Sequence, residues 1–271
     1  MSTKPSLPES YVVPKVWKTP ESHGAFGGMN RPTAGARTEA ELPRGEHPIQ
    51  LYSLGTPNGV KVTIMLEELG IPYDAWEISI MQQQQFTTGF VEINPNSKIP
   101  AMLDYSVSPP QRVFESVSIL LYLAEKYGKF YPKDLRKRTE VTNWLIWQVG
   151  TAPYIGGGFG HFYKYAPVAI EYAIDRFTME TKRIIDVLDK QLEGKEYIIG
   201  DEYTIADIAI FPWIKIFYDG TGYDATEFLQ VNEYKNVKRW VETLMKREGV
   251  IRGTEKKYVQ GFKDIKELNK L

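Results

Sequence analysis

Apolar residues recur along this chain in two rhythms. Short alternating or continuous runs dominate from Ile49 to Asp104, and long helical periods dominate after Pro132. Ile49–Ser53 predicts a strand. A turn at Thr56-Pro57-Asn58-Gly59 follows, then a helix over Val60–Leu69 with Val62, Met65, Leu66 and Leu69 apolar. Gly70 stands where a C-terminal cap belongs, and Pro72 blocks continuation. In Tyr73–Ile80 the residues Trp76, Ile78 and Ile80 alternate onto one face of a second strand. Thr87–Ile93 predicts a short helix. Ile99–Asp104 and Arg112–Phe114 predict strands across a loop holding Pro109 and Pro110, and Glu115-Ser116 opens a helix running to Tyr127. This β-α-β-α-β-β-α order over about 80 residues is a compact α/β unit of the split type.

Beyond Pro132 the pattern turns all-α. Arg138–Val149, Val168–Leu192, Thr204–Phe217 and Tyr234–Lys246 predict helices, the second with Ile170, Ile174, Phe177, Ile184, Leu188 and Leu192 along one side. The chain thus divides into an extended N-terminal arm (1–48), an α/β domain (49–132), an all-α domain (133–250) and a lysine-rich C-terminal tail (251–271). The arm has no sustained apolar period. It carries Tyr11, Val12, Val13, Val16, Trp17 and Phe26, which are costly to leave in water, so it is expected to lie on the folded body.

Composition narrows the chemistry. Lys plus Arg total 33 against 34 for Asp plus Glu, a net charge of −1, which argues against a strongly basic nucleic-acid binder though not against a local basic patch, and no nucleic-acid partner is expected. The cysteine count is zero. Disulfides, thiolate-zinc sites, iron–sulfur clusters and any cysteine nucleophile are excluded, so sulfur chemistry here must use sulfur from a ligand. Residues 1–13 lack the apolar core of a signal peptide, and no run approaches membrane-spanning length, so a cytoplasmic protein without membrane contact is expected.

Four local patterns carry candidate chemistry. Glu115-Ser116 at a helix start suits an amino-acid head group: backbone N–H groups and a hydroxyl for the carboxylate, a glutamate for the ammonium. Plain capping by Ser116 is the simpler account of the pair taken alone. In Asn96-Ser97-Lys98-Ile99-Pro100, a cis proline would present the Ile99 main chain to a peptide-like ligand, whereas a trans proline would merely open a strand. Thr56 and Asn58 offer polar groups beside a helix N-terminus, where thiol pKa values fall, with ordinary capping and Pro57 in the first turn as the alternative. Thr204-Ile-Ala-Asp207 is a capping box, and Asp207 is expected to serve folding. Gly156-Gly157-Gly158-Phe159-Gly160 lacks the lysine of a phosphate loop and predicts a flexible break. His23, His47 and His161 have no metal-ligand spacing, and His161 amid aromatics predicts a polar partner in an aromatic cluster. Strand alternation sends Tyr52 and Ser53 to opposite faces. Gln148 is a candidate for facing a partner subunit, with simple solvation as the alternative.

The strings LYSLGTPNGVKVTIMLEELG, FVEINPNSKIPAMLD, FESVSILLYLAEKYG, GGGFGHFY and EYTIADIAI, with GGMNRP in the arm, resemble the cytosolic glutathione transferases and within them the bacterial nu class. The resemblance spans Ile49 to about Gly249. It implies a thioredoxin-like domain followed by an all-helical domain, with glutathione as co-substrate and no metal. It implies that Glu115 and Ser116 hold the γ-glutamyl head and that Ile99, before a cis Pro100, pairs main chain to main chain with the cysteinyl unit. Gln85, in a stretch resembling QF-x-x-x-F, and Lys98 would also contact glutathione. Thr56 and Asn58, flanking Pro57, would lie at its sulfur as the catalytic pair. Arg176 would reach the cleft from the helical half, and Asn30 from the arm. A homodimer taking two glutathiones, or glutathione disulfide, per site is implied, with glutathione-dependent disulfide reduction as the activity. Conjugation of electrophiles and a non-catalytic glutathione-binding role are the alternatives.

Overall fold

The structure, a computed structural model, describes residues 12–19, 29 and 31–262. Tyr11, His23, Phe26 and Asn30 lie outside the described residues.

A four-stranded mixed sheet organises the N-terminal half, in the order β2-β1-β3-β4. Strand β1 (Ile49–Ser53) is buried along its whole length, as suits a central strand covered on both faces. It runs parallel to β2 (Tyr73–Glu77) and antiparallel to β3 (Ala101–Asp104), which pairs with β4 (Gln111–Phe114). Side-chain alternation splits the core. Ile49 and Leu51 join the large cluster with helix α1 (Pro57–Leu69), while Tyr52 packs on the other face with Phe90 and Ile93 of α2 (Thr88–Ile93). Helix α3 (Ser116–Tyr127) follows β4 directly. This is the thioredoxin-like arrangement.

Two strands differ from the sequence expectation. β2 stops at Glu77 rather than Ile80 because its partner β1 ends at Ser53, whose carbonyl accepts from Ile78 N at 2.8 Å, and Ser79 N turns to Gln84 Oε1 at 2.6 Å. β3 pairs from Ala101 rather than Ile99, since Pro100 carries no N–H.

Beyond Phe114 the described residues form no further strand, only single bridges at Tyr197–Gly200 and Trp76–Val259. The helical half comprises α4 (Leu135–Pro153), α5 (Glu171–Gln191), α6 (Ile205–Lys215) and α7 (Lys235–Leu244), with α8 (Glu248–Thr254) closing it. Helix α6 is apolar nearly all round and is the buried axis of this half. Its capping box is formed: Asp207 accepts from Thr204 N at 3.0 Å and also from Ile198 N and Trp240 Nε1. The two halves meet where α1 packs on α8. Gly253 lets the helices approach so closely that a Cβ there would lie 2.5 Å from the Ile64 backbone, and Arg247 forks onto Glu68 through two bonds of 2.8 and 2.9 Å.

The glycine-rich run is not a flexible break. It forms part of a wide, π-type helical stretch over Tyr154–Tyr165. The glycines are needed for contact: a Cβ at Gly156, Gly158 or Gly160 would collide with the rings of Trp213, Phe177 and Tyr223 respectively.

The arm behaves in two ways. Residues 31–48 lie on the body as expected, with Arg37 N donating to Phe86 O at 2.7 Å, Gly89 N to Ala40 O at 3.0 Å and Tyr52 Oη to Pro43 O at 2.7 Å. Val12, Val13, Val16 and Trp17 do not: all are exposed. The C-terminal segment, read as a tail, begins inside α8 and returns to the sheet. Val259 N donates to Ala75 O and its carbonyl accepts from Glu77 N, both at 2.8 Å, which covers the outer edge of β2.

Candidate functional site

A cleft of about 570 Å³ opens between the two halves, within the size range of small-ligand sites. Its sheet side is formed by Thr56, Pro57 and Asn58, by Lys98, Ile99 and Pro100, and by Glu115 and Ser116. Gln85 closes one end. The wall from the helical half is aromatic, with Trp213, Tyr165 and Tyr223.

Thr56 is the N-cap of α1, with its Oγ1 accepting from Gly59 N at 3.4 Å, and Pro57 fills the first helical position. Capping uses a hydroxyl lone pair and leaves the hydroxyl hydrogen to donate elsewhere. Asn58 Oδ1 accepts from Trp213 Nε1 at 2.8 Å. The indole therefore fixes the carboxamide and leaves its two N–H donors for other partners. The start of α1 brings its own partial positive charge to the same place.

The loop before β3 is braced by Asn94, whose Nδ2 donates to Lys98 O at 2.6 Å while its Oδ1 accepts from Asn96 N at 3.0 Å. The Ile99-Pro100 peptide is cis. Ile99 lies outside the β3 ladder and lines the cleft. Gln85 sits in a turn held from below by the arm: the Arg37 guanidinium lies 3.4 Å from the Phe86 ring centre and donates to Gln83 Oε1 at 3.1 Å. Gln85 Oε1 is buried with no hydrogen-bond partner among the described residues, an acceptor left for a donor from a ligand.

Glu115 rather than Ser116 is the N-cap of α3, so plain capping by Ser116 is not what the structure contains. Glu115 has φ +67°, a conformation that costs a non-glycine residue on the order of 1–3 kcal/mol and that clusters at functional sites. Its side chain makes no cap bond and stands exposed at the cleft. Ser116 is buried, and its Oγ accepts from Lys61 Nζ at 3.2 Å. Lys61 Nζ also donates to Gln148 Oε1 at 2.7 Å. Burial pulls the Lys61 pKa down to about 7, against the opposing pull of Glu115.

Sequence reasoning named nine residues that the fold gathers here: Thr56, Pro57, Asn58, Gln85, Lys98, Ile99, Pro100, Glu115 and Ser116. Arg176 is not among the lining residues. It is exposed on α5 and pairs with Glu180 at 3.6 Å. Asn30 falls outside the described residues, although its neighbour Met29 lines the cleft and accepts from Arg37 through its carbonyl at 3.0 Å. Tyr52 and Ser53 do not line the cleft, and Tyr52 is turned to Pro43 with its pKa raised by burial. His161 packs edge-on against Phe162, as an aromatic-cluster partner would. Gln148 faces inward to Lys61 rather than outward to a partner. Lys61, Asn94 and Trp213 were not found from sequence. For Lys61 the signal was a lone cation inside an otherwise apolar helical stretch.

Comparison with known proteins accords with this geometry. Residues 56–126 match the family model of the glutathione S-transferase N-terminal domain, and residues 171–248 match that of the C-terminal domain. The disulfide-bond oxidoreductase YghU of Escherichia coli is 60% identical over 251 residues, spanning 90% of this chain and 87% of its own. The crystal structure of glutathione transferase YghU from Streptococcus pneumoniae, complexed with glutathione, superposes with a TM-score of 0.91 at 54% identity. That match covers 93% of this chain and all of the other. A Burkholderia graminis transferase with two glutathione molecules bound per subunit superposes with a TM-score of 0.73 at 42% identity, covering 76% of this chain and 87% of its own. The chain belongs to the glutathione S-transferase family.

Proposed function

We propose that this protein is a glutathione-dependent disulfide-bond reductase. The observation that carries the reading is a first turn of α1 that offers Thr56 and Asn58 to a sulfur, in a chain that has no cysteine of its own. Every sulfur of the exchange must then arrive on a ligand. The γ-glutamyl head lies at Glu115 and Ser116, the cysteinyl unit along Ile99, and Gln85 and Lys98 take further polar groups of the tripeptide.

A free thiol has a pKa near ~8.5, so only a few per cent is thiolate at neutral pH. Lowering that by one unit requires about 1.4 kcal/mol of preferential thiolate stabilisation. One hydrogen bond to a charged group contributes ~1.5–3 kcal/mol, so Thr56, Asn58 and the helix N–H groups suffice. The thiolate of one glutathione attacks the substrate disulfide. A mixed disulfide forms and one substrate thiol leaves, taking a proton. A second glutathione thiolate then attacks the glutathione sulfur of the mixed disulfide, releases the second substrate thiol and leaves glutathione disulfide. In each step the protein orients three sulfurs and tunes charge, and no bond to the protein forms. The binding of two glutathiones per subunit by the Burkholderia graminis relative supports this stoichiometry.

Such a reaction needs a pool of reduced glutathione, which places it in the cytoplasm. No helix among the described residues is long and apolar enough to cross a membrane. The exposed pair Ile146 and Val149, one turn apart on α4, supports assembly as a homodimer, testable by light scattering. Conjugation of glutathione to electrophiles is the second reading, favoured by the aromatic wall of Trp213, Tyr165 and Tyr223. Product analysis tests the first. One glutathione disulfide should appear per substrate disulfide consumed, whereas accumulation of mixed disulfide alone would overturn the two-glutathione sequence.

A further inference from the structure

Lys61 is 1% exposed, in the second turn of α1, and the chemistry above does not use it. Its Nζ reaches Ser116 Oγ on α3 and Gln148 Oε1 on α4, both neutral. A serine hydroxyl has one hydrogen to donate. With its oxygen accepting from Lys61, that hydrogen is left to point elsewhere, and Ser116 borders the cleft.

We infer that Lys61 is a positioning residue acting through Ser116: its amine fixes the Ser116 hydroxyl as a donor into the cleft and takes up a proton when a carboxylate binds there. The inference rests on the reading of the cleft as a glutathione site and deepens it, by making recognition of the γ-glutamyl carboxylate a proton-linked event.

The surroundings of Lys61 give the linkage its sign. On α3 the charged group facing it is Glu115, and α4 presents the neutral Gln148. The neighbouring charges of α1 and α8 are engaged with one another, Glu68 with Arg247 and Glu67 with Arg252. Asp207 of α6 is turned to Ile198, Thr204 and Trp240. Lys61 is thus held near its titration point in the free protein. A bound carboxylate adds a negative charge one hydroxyl away from Nζ and favours the ammonium. An ammonium held by Glu115 is screened from Nζ by that carboxylate. Binding must therefore draw in protons above neutral pH, and affinity must fall as pH rises.

The test is calorimetry with S-methylglutathione, which has no thiol to titrate, in two buffers of different ionisation enthalpy between pH 7 and 9. The ligand's amine titrates alike against every variant. Wild-type protein should take up more protons than Lys61→Met and lose affinity about tenfold more steeply across the range for each unit of coupling. Gln148→Glu places a fixed carboxylate on Lys61 and should keep affinity while abolishing the extra uptake. It also serves should Lys61→Met fail to fold. Equal proton uptake in wild type and both variants overturns the inference and leaves the glutathione site intact. Failure of the wild type to bind S-methylglutathione at all overturns the reading of the cleft and the inference together.

Discussion

Trp213 Nε1 donates to Asn58 Oδ1 at 2.8 Å, joining the helical half of the molecule to the first turn of α1. A carboxamide has one oxygen and one nitrogen, so engaging the oxygen decides where the N–H groups point. The helical half thereby sets the polarity of a group on the thioredoxin-like half. Trp213→Phe removes the donor and keeps an aromatic, though smaller, ring in the wall. It should lower kcat/KM for disulfide reduction roughly fivefold, the ~1 kcal/mol of one hydrogen bond, with the far-UV spectrum unchanged. An unaffected rate would detach Asn58 orientation from turnover.

Thr56 has two tasks that separate by substitution. Thr56→Ala loses the α1 cap, ~1 kcal/mol of stability. It also loses the thiolate donor, which should cost roughly ten- to a hundredfold in kcat/KM. Thr56→Ser restores both the cap and the hydroxyl. Steady-state rates beside denaturant midpoints for the two variants check this, and an unchanged kcat/KM in the alanine variant would remove Thr56 from the mechanism.

Asp207 should matter to folding and not to chemistry. It is fully buried and accepts from Ile198 N, Thr204 N and Trp240 Nε1. Truncation strands these donors, each ~1–3 kcal/mol if left unsatisfied. Asp207→Ala should therefore lose at least ~3 kcal/mol in urea unfolding. The folded fraction should keep wild-type affinity for glutathione. A stable variant with impaired turnover would invert that assignment.

Lys61 predicts a pH dependence of stability. Its pKa in the folded chain is depressed to about 7, against 10.5 for the free side chain. From about pH 7 to 10.5 the unfolded chain therefore holds more protons than the folded one, and stability from this group rises with pH. The gain between pH 7 and 9 should be at most about 2 kcal/mol relative to Lys61→Met, whose profile lacks this slope. Parallel profiles for the two proteins would show that Lys61 stays charged in the fold.

What the sequence disclosed and what it hid divide along one physical line. Features fixed within a few residues were legible. The Gly70 cap and the Thr204–Asp207 box each depend on local hydrogen bonds that residue spacing encodes, whereas α1 begins at Pro57, three residues before the Val60 expected after the turn. Features fixed by distant partners were not. Nothing near Lys61 in sequence shows that Ser116 and Gln148, 55 and 87 positions away, converge on its amine. Gly156, Gly158 and Gly160 looked like a break because composition cannot show the rings of Trp213, Phe177 and Tyr223 pressed against them. Val12, Val13, Val16 and Trp17 looked like anchors by their apolarity, yet they stand exposed. Thr56, Ile99 and Glu115 each stand at the end of an element, where their local patterns read as well as capping or strand opening, and it was the resemblance to the glutathione transferases that singled them out. The aromatic wall arrives from the other half and had no local signal.

Glutathione-dependent reduction of hydroxyethyl disulfide, measured beside conjugation to chlorodinitrobenzene on one preparation, tests the central assignment most directly. Disulfide turnover at least tenfold above conjugation is the expected result. Conjugation as the faster reaction, or silence in both assays from protein that still binds glutathione, would contradict it.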